Sequence, residues 1–533
     1  MKNIYSPEDI DRITEVTIGR LETIGQLEPG NRAYMIERRA AFIATVGEQV
    51  AREVDAFRSE RREKVIVFAG DTICGAYALE AALELHARGC KALVVLFNVG
   101  GNLLSIDTAA ARSRFLESTG SRYLIEVLTP GDFEMPDINP ADTIVLDGIF
   151  GSEYRKPLLG GYQAVARHIN ESGARVVSID LPSGMTTDLS VGMINRNIVH
   201  ADLTLTLVGP TLAFFLPENA ELVGRWKTLA VPFNEEAMSE TRCTSQLIDA
   251  RGVRKVYPKR EFTVSKADLG DALIFAGSYG MVGAAVLATR AATRSGCGRV
   301  TCHGPRCAYV VLQTAVPSAM FAAGEGDTEI RSFDNPRDCE AVAIGPGIGQ
   351  SDATADALEA FLKNCYAARR PLVLDADALN LIAKHHMHDY IPERSVITPH
   401  AGEFDRLFGL QNSDGTRLLM AIEMAARYKI IIVLKGPKTM TIWPNGVVIV
   451  NSSGTEALAT AGSGDVLTGL LTGLIAQGLR PEYAAVVAVY IHGVAGRIAA
   501  RTCGVEGSTA EDIADAIGPA IDSILNPRTT AQS

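Results

Sequence analysis

Short apolar runs alternate with helical stretches along most of this chain, and this alternation restricts its fold more than any other feature. A first series begins at Lys64, with helical segments such as TICGAYALEAALELHARG between the runs: VIVFAG, ALVVLFN, TIVLDGIFG, RVVSIDLPSG and LTLTLVG. A second series follows: DALIFAG, GRVTCHG, AVAIGPG, PLVLDAD, SVITPH, IIIVLKG and VVIVNSSG. Continuously apolar runs are typical of parallel strands that helices bury on both faces. The pattern therefore predicts an α/β protein.

The length of 533 residues indicates two domains, because a single core stops growing at about 250–300 residues. A charged stretch between the two series, residues 234–262, contains RGVRKVYPKREF and is predicted to be an irregular linker. We therefore expect one α/β domain over residues 1–233 and a second over residues 263–533. Nearly every run ends in Gly, Asp, Ser or His, at the strand ends where open parallel sheets bind their ligands.

The charge balance excludes several classes of partner. The chain has 51 Lys and Arg against 62 Asp and Glu, a net charge of −11, and no basic stripe, so we expect neither nucleic acid nor an anionic membrane to bind.

Residues 203–217 come nearest to a membrane helix but are too short. The start of the chain has no apolar signal core, and the nine cysteines form no disulfide-like array, so a cytoplasmic protein is expected. Cys297, Cys302, His303 and Cys307 have spacings that match no common zinc site.

Small residues lead into an apolar helix in the segment ATAGSGDVLTGLLTGLIAQG. A Gly-rich turn at a helix amino terminus presents free N–H groups and the positive end of the helix dipole, which stabilise a bound phosphate. Asp465, at the start of this helix, could be a general base for a reacting hydroxyl or simply a helix cap. Upstream, Lys435 ends a strand run, and Lys438 and Thr439 follow. Ammonium, hydroxyl and backbone N–H groups are what nucleotide phosphates require.

Six motifs in the second half resemble, in order, those of the ADP-dependent NAD(P)H-hydrate dehydratases, a branch of the ribokinase-like superfamily. They are SKADLGDALIFAGSYGMVGAAVLATRAATRSGCGRVT, IGPGIG, PLVLDADALN, ITPHAGEF, VLKGPKT and TAGSGDVLTG. The resemblance covers residues 266–525 and implies a ribokinase-like α/β/α sandwich that uses ADP and Mg²⁺. It implies nucleotide binding by Lys435, Gly436, Pro437, Lys438, Thr439 and Gly464, and contact with the hydrated nicotinamide cofactor by Ala284, Gly347, His400 and Asp465.

The same resemblance implies a reaction. Asp465 takes the hydroxyl proton of the hydrate while the hydroxyl oxygen attacks the β-phosphate of ADP. The phosphate then leaves, pushed by the lone pair of the ring nitrogen, which restores NADH or NADPH with AMP as by-product. The expected substrates are NADH hydrate and NADPH hydrate.

Two motifs in the first half, LDGIFGSEYRKP and SIDLPSGMTTD, resemble the NAD(P)H-hydrate epimerase domain that is often fused to this dehydratase. The resemblance implies a Rossmann-like three-layer sandwich. It also implies that Asp147 acts in proton transfer and contacts a potassium ion, with Ser183 completing the ion site. The positions that it assigns to the substrate are Gly151, Ser152, Glu153, Tyr154, Arg155, Lys156, Pro157 and Asp180. Both aspartates end apolar strands, where carboxylates either perform acid–base chemistry or cap a turn.

One segment departs from the epimerase pattern. After its first strand the family has a Gly-Asn-Asn-Gly-Gly-Asp-Gly loop, whereas this chain has Ile73 and Cys74 in place of the asparagines and Tyr77 in place of the aspartate. Isoleucine has no oxygen for a hard cation and cysteine is a soft ligand, so the potassium site lacks a ligand. Tyr77 could also fill part of the substrate pocket. We hypothesise an impaired epimerase domain that persists as a scaffold, an oligomer interface or a partner surface, and we expect a homo-oligomer.

Two other functions stay open at this stage. A ribokinase-like kinase for a small molecule such as a vitamin alcohol would share the anion-binding turn and the base, but would release a stable phosphorylated product. A nucleotide-sensing interaction protein would not need Asp465 and Lys435. The GPGIG, DADALN and TPHAGEF motifs favour the dehydratase over the kinase, and intact Asp465 and Lys435 argue against the interaction protein for the second half of the chain, whereas it stays open for the first half.

Overall fold

A computed structural model describes residues 1–60, 63–99, 104–129, 134–190, 197–258, 260–334 and 339–527, without the side chains of Leu21 and Glu22. The chain divides into two compact units. The amino-terminal unit is Asn3–Cys243, and the carboxyl-terminal unit is Met1–Lys2 with Thr244–Ser533. Each unit is built on its own sheet.

The amino-terminal unit has a parallel sheet with helices on both faces. After β1 (Lys2–Ile4), its strands are β2 (Lys64–Ala69), β3 (Leu93–Phe97), β4 (Leu124–Val127), β5 (Thr143–Gly148), β6 (Arg175–Ile179), β7 (Leu203–Thr206) and β8 (Arg225–Thr228). Its helices are α1 (Pro7–Ile18), α2 (Leu21–Gly25), α3 (Pro29–Phe57), α4 (Ile73–Ala87), α5 (Ile106–Thr119), α6 (Gly161–Glu171), α7 (Ala220–Val223) and α8 (Glu235–Glu240). The sheet order is β4-β3-β2-β5-β6-β7-β8. Separate apolar clusters on the two faces make it a three-layer sandwich.

The carboxyl-terminal unit has a longer, mostly parallel sheet. Its further strands are β9 (Ser245–Ile248), β10 (Asp271–Phe275), β11 (Arg299–Gly304), β12 (Met320–Ala323), β13 (Ala341–Ile344), β14 (Val373–Leu374), β15 (Val396–Ile397), β16 (Ile431–Leu434), β17 (Met440–Ile442) and β18 (Val448–Asn451). Its helices are α9 (Ala250–Val256), α10 (Val282–Arg294), α11 (Tyr309–Ala315), α12 (Asp352–Ala367), α13 (Ala376–Lys384), α14 (Ala401–Phe408), α15 (Asp414–Tyr428), α16 (Ser463–Ala476), α17 (Pro481–Cys503), α18 (Ala510–Asp515) and α19 (Ile517–Leu525). The order is β1-β9-β18-β17-β16-β15-β14-β13-β10-β11-β12, with β17 antiparallel to both neighbours.

These two sheets confirm the predicted α/β class, and every apolar run of the two series contains a strand. The segment predicted to be an irregular linker differs from that prediction, since residues 234–262 contain α8, β9 and α9. Strand β9 pairs with β18, and Asp249 caps α9 by accepting from the Gly252 N–H. The units meet in sequence between Cys243 and Thr244, and Lys259 lies outside the described residues.

Helix α17 is long and apolar enough to cross a membrane, with a mean hydropathy of 1.4 over its most apolar window. This corrects the expectation that residues 203–217 come nearest to a membrane span. However, 72% of that window is buried inside the protein, where α17 packs against α16 and α19. The apolar surface of α17 is therefore covered by the core of the carboxyl-terminal unit.

Two glycines allow α16 to lie very close to α10. A Cβ added to Gly469 would come 1.9 Å from the Ala288 carbonyl oxygen, and one added to Gly473 would come 2.1 Å from Ser295 Oγ. No larger residue fits at these positions without moving a helix. The close packing fixes the amino terminus of α16 against α10.

Candidate active site

The turn before α16 brings a left-handed glycine to a helix amino terminus in the carboxyl-terminal unit. Gly462 has φ 85° and precedes the first helical residue, Ser463. Gly464 and Asp465 therefore lie in the first turn of a 14-residue helix, where backbone N–H groups have no partner within the helix. This geometry matches the anion-binding turn predicted from the sequence.

Lys435 lies beneath this turn. Its Nζ is 2.9 Å from Asp375 Oδ1 and 3.6 Å from Glu403 Oε2, and a Cβ added to Gly464 would lie 3.5 Å from the same nitrogen. Burial alone would lower the pKa of Lys435, but the charges of Asp375 and Glu403 outweigh it and raise that pKa. Lys435 is therefore a fixed positive charge beside the helix amino terminus.

Asp375 links three elements of the site. It follows β14, is 1% exposed, and accepts hydrogen bonds from Lys435 after β16 and from Thr468 Oγ1 in α16, the latter at 2.6 Å. Asp375 and Glu403 lie in the DADALN and TPHAGEF motifs, but neither was predicted to be a site residue. An aspartate directly after a buried strand was the available signal for Asp375, whereas its pairing with Lys435 and Thr468 depends on the tertiary structure.

The carboxylate of Asp465 is strongly affected by its surroundings. Burial is the largest cause and the negative charge of Asp375 the next, and with Asp377 and Glu403 they raise the pKa of Asp465 to about 7 against the opposing charge of Lys435. A carboxylate with a pKa near neutrality is suited to accept and release a proton at physiological pH.

The predicted nucleotide residues form the connection between β16 and β17. Gly436, Pro437 and Lys438 are exposed, and the Thr439 hydroxyl donates to the Gly436 carbonyl at 3.0 Å. The connection follows directly from Lys435. Its exposed backbone and the Lys438 ammonium are therefore accessible to a ligand near the turn of α16.

Two residues predicted to contact the hydrate lie against each other. Gly347 has φ 61°, and a Cβ added there would come 3.0 Å from the Ala284 Cβ near the start of α10. The same helix reaches the anion-binding turn, because a Cβ added to Gly462 would come 2.4 Å from Leu287, one turn after Ala284. Ala284 and Gly347 therefore border the turn that carries Asp465.

His400 lies next to Lys435, since the two residues form a parallel bridge between the ends of β15 and β16. Its Nδ1 accepts from the backbone N–H groups of Gly402 at 3.1 Å and Glu403 at 3.3 Å, which caps α14. Half of the side chain is exposed. The Nε2 edge of His400 is therefore the part that can reach a ligand.

His492, in α17, is a further buried residue that the sequence analysis missed. Its Nε2 lies 3.2 Å from Ser463 Oγ at the start of α16. Burial lowers the pKa of His492 to about 4, so the ring is neutral under the anion-binding turn. No sequence pattern distinguished this histidine from an ordinary core residue.

In the amino-terminal unit, Asp147 at the end of β5 is completely buried. Its oxygens accept from the hydroxyl and N–H of Ser183 at 2.5 and 2.9 Å, from Ser178 Oγ at 2.8 Å and from the Ile149 N–H at 3.4 Å. Burial raises the pKa of Asp147 despite these hydrogen bonds. The structure thus brings Asp147 and Ser183 together, as predicted, but as a mutually hydrogen-bonded pair.

The loop after β5 lies at a cavity of about 620 Å³. Ser152, Glu153 and Asp180 line this cavity, whereas Asp147 and Ser183 do not. Tyr154 stacks on Phe150 with ring centroids 3.9 Å apart. The remaining predicted substrate residues are Gly151, which is buried, and Arg155, Lys156 and Pro157, which are exposed.

The segment that departs from the epimerase pattern is the start of α4. Ile73 and Tyr77 line the same cavity, and Cys74 is buried with its thiol 3.7 Å from the Ile179 carbonyl oxygen. Gly75 is required here, since an added Cβ would come 1.9 Å from the Gly70 carbonyl oxygen. Tyr77 therefore lies at the expected substrate pocket, and Cys74 is enclosed by the core.

Two protein families match this chain, one in its first half and one in its second half. Residues 35–213 match the family described as YjeF-related protein N-terminus, and residues 272–519 match the family described as NAD(P)H-hydrate dehydratase. A solved structure of the ADP/ATP-dependent NAD(P)H-hydrate dehydratase from Bacillus subtilis, co-crystallized with ATP/Mg²⁺, is 29% identical. It covers 52% of this chain and 97% of its own, with a TM-score of 0.45.

The similarity extends over nearly the whole chain in two curated relatives. A bifunctional NAD(P)H-hydrate repair enzyme of Moorella thermoacetica is 30% identical over 518 residues, which are 94% of this chain and 95% of the relative. One from Salinibacter ruber is 30% identical over 525 residues, 93% of this chain and 95% of the relative. This chain therefore belongs to the family of bifunctional NAD(P)H-hydrate repair enzymes.

Proposed function

We propose that the carboxyl-terminal unit dehydrates the S epimers of NADH hydrate and NADPH hydrate at the expense of ADP, releasing AMP and phosphate. The observation that carries this proposal is the position of Asp465, which combines a pKa of about 7 with a place in the first turn of α16. A base and a phosphate-binding helix terminus thus occupy the same turn.

The nucleotide would be held from two sides. The N–H groups at the start of α16, including Gly464, suit one phosphate, and the connection from Lys435 to Thr439 supplies an ammonium, a hydroxyl and exposed backbone for the other. Ala284, Gly347 and His400 would contact the hydrate. We expect the Nε2 edge of His400 to donate to it, because Nδ1 is already used in capping α14.

Asp465 would take the proton from the hydroxyl of the hydrate as the oxygen forms a bond to the β-phosphorus and AMP leaves. The carbon–oxygen bond of the phosphorylated intermediate then breaks, driven by the lone pair of the ring nitrogen, and phosphate leaves. Loss of a proton from the neighbouring carbon restores the double bond of the nicotinamide ring. Only the first step requires the base to stand next to the transferring phosphoryl group.

Mg²⁺ would be bound mainly through the nucleotide. Among the described residues no group of three or more His, Cys, Asp or Glu side chains is arranged to hold a metal ion. Asp375 is engaged by Lys435 and Thr468. Mg²⁺ commonly binds through substrate phosphates with few protein ligands, where it neutralises their charge.

The amino-terminal unit is proposed to epimerise the two hydrates slowly or not at all. The residues expected to hold potassium do not fit that ion, because Asp147 and Ser183 use their oxygens on each other and on Ser178, Phe150 and Ile149. Cys74 offers a buried thiol instead of an amide oxygen.

A cytoplasmic location is supported by the nine free cysteines, and a homo-oligomer remains our expectation.

The test is to give the purified full-length protein a mixture of both hydrate epimers with ADP and Mg²⁺, and to follow recovery of NADH absorbance. We expect a fast rise to about half, as one epimer is consumed, and then a slow phase at the rate of spontaneous epimerisation. Fast and complete recovery would contradict the weak epimerase. Failure to recover NADH with either ADP or ATP would contradict the dehydratase, and a stable phosphorylated product would instead identify a kinase.

A further inference from the structure

The cavity of the amino-terminal unit has the size of a small-molecule site. Its volume of about 620 Å³ lies within the range of about 300–1,000 Å³ for ligand pockets. One part of the wall is apolar and includes Ile18, Ile73, Leu207 and Val208. The wall also carries the carboxylates of Glu153 and Asp180.

Glu153 and Asp180 have no cationic partner among the residues that the structure describes. Asp180 is 6% exposed and accepts from the Ser152 N–H at 2.8 Å, while Glu153 accepts from Thr72 Oγ1 at 2.5 Å and from the Gly151 N–H at 3.2 Å. Glu153 Oε2 lies near Asp180 Oδ2, the oxygen that accepts from Ser152, because a Cβ added to Gly151 would come 2.7 Å from the first and 3.0 Å from the second.

The other charged side chains on the cavity wall are already paired. Arg39 binds Asp107, with both side chains buried, and Arg20 binds Glu15. Asp11 binds Arg155 of the neighbouring loop. The exposed Glu153 and the buried Asp180 are the charges without a counter-ion in the described part of this wall, so the cavity is electronegative.

Tyr77 brings a second kind of polar group to the wall of this cavity. It is 3% exposed and lines the cavity, yet its hydroxyl has no hydrogen-bond partner in the described part of the chain. Burial, and then the charges of Asp180 and Glu153, raise the pKa of Tyr77, which places the hydroxyl within the influence of both carboxylates. The hydroxyl can therefore donate to or accept from a ligand in the cavity.

We propose that this cavity binds a small organic ammonium ion, whose N–H groups bond to Glu153 and Asp180 and whose apolar body lies against Ile73 and Leu207. The Tyr77 hydroxyl would bond to the same ligand. A dinucleotide is disfavoured here because its phosphates would meet two uncompensated carboxylates. An inorganic cation would leave most of the volume and the apolar wall unused. The proposal does not depend on the dehydratase site.

The test uses tyramine as the probe, titrated into the full-length protein in an isothermal calorimeter without nucleotide. The matched probe is 4-ethylphenol, which has the same ring and no ammonium group. We expect tyramine to bind at least about tenfold more tightly than 4-ethylphenol. The ammonium of tyramine can form a charge-assisted hydrogen bond to a carboxylate, whereas 4-ethylphenol leaves that carboxylate unpaired. Glu153→Gln and Asp180→Asn should each weaken tyramine binding about tenfold, and Tyr77→Phe should weaken it less.

Glu48→Gln is the control variant, since Glu48 is exposed on α3 and pairs only with Arg52 in the described part of that surface. It should bind tyramine like the wild type. Thermal unfolding of each sample, followed by circular dichroism, reports whether the amino-terminal unit of the variant is folded. Equal binding of the two probes, no binding of tyramine, or binding that the three cavity variants leave unchanged would overturn the proposal. Displacement of tyramine by low millimolar potassium would overturn it in favour of an inorganic cation site.

Discussion

The carboxylate of Asp375 joins Lys435 to helix α16, because one of its oxygens lies 2.9 Å from Lys435 Nζ and the other accepts from Thr468 at 2.6 Å. Thr468 is one turn after Asp465 in the same helix. Asp375 therefore fixes the positive charge and the base-bearing helix relative to each other, and its own charge also acts on the base.

Substitution of Asp465 by Asn should abolish turnover while nucleotide binding is kept. The amide cannot accept the hydroxyl proton, and loss of a general base lowers rates by about 10²- to 10⁴-fold. Steady-state kinetics of the dehydration and calorimetric titration with ADP measure the two effects separately. Asp356→Asn, an exposed change on α12, is the control. Turnover close to that of the wild type would show that another residue is the base.

Substitution of Asp375 by Asn should move the acid limb of the pH profile to lower pH. The wild type needs ionised Asp465, so kcat/KM should rise as the pH passes about 7. Removal of the Asp375 charge removes one cause of that raised pKa, and Asp465 then ionises at lower pH. We also expect kcat/KM on the plateau to fall about tenfold, since Lys435 loses its partner.

Thr468→Val tests whether the shift of the acid limb in Asp375→Asn comes from the lost charge of Asp375 or from its lost hydrogen bond with Thr468. It removes the hydrogen bond to Asp375 and keeps the charge, so the acid limb should stay in place. Thr468→Ser should restore any loss of rate. If the acid limb moves equally in Asp375→Asn and Thr468→Val, the shift is caused by structural disturbance rather than by the charge of Asp375.

The same Asp465→Asn variant should be more stable than the wild type at alkaline pH. The pKa of Asp465 is about 7 in the folded protein against an ordinary value of 3.8, so ionisation destabilises the fold increasingly between pH 4 and 7, and fully above that range. In calorimetric unfolding, the relevant transition is the one whose Tm rises when ADP is added. In that transition the variant should have a higher Tm than the wild type at pH 8 and the same Tm at pH 3.5. An equal Tm of variant and wild type at pH 8 would show that ionisation of Asp465 does not destabilise the folded protein.

Gly469→Ala should destabilise the carboxyl-terminal unit by about 1–3 kcal/mol, because the new methyl would overlap the Ala288 carbonyl. Gly518→Ala is the matched control, since Gly518 lies in α19 and an added Cβ meets nothing within 4 Å. That substitution should be neutral or slightly stabilising. Chemical denaturation of both variants measures the difference, and equal stabilities would contradict the close packing of α10 and α16.

The sequence allowed the strands and the glycine turn at the start of α16 to be predicted, since continuous apolar runs and Gly-rich helix starts are local signals. It did not reveal the partners of Lys435, because Asp375, Glu403 and Thr468 come from three separate segments and meet only in the folded sheet. The segment containing Ser245–Ile248 was assigned to a linker since a short strand among charged residues has little local signal. Asp147 and Asp180 both follow apolar runs in the sequence, but only Asp180 lines the cavity.

The glycine contacts between α10 and α16 have a consequence for how the site operates. Ala284, the proposed hydrate contact, belongs to one of these helices and Asp465, the proposed base, to the other, so both lie on one closely packed pair of helices. The spacing between them is set when the protein folds and does not await closure around a ligand. In the proposed reaction, part of the entropy required to align the reactants would therefore be removed before either substrate binds.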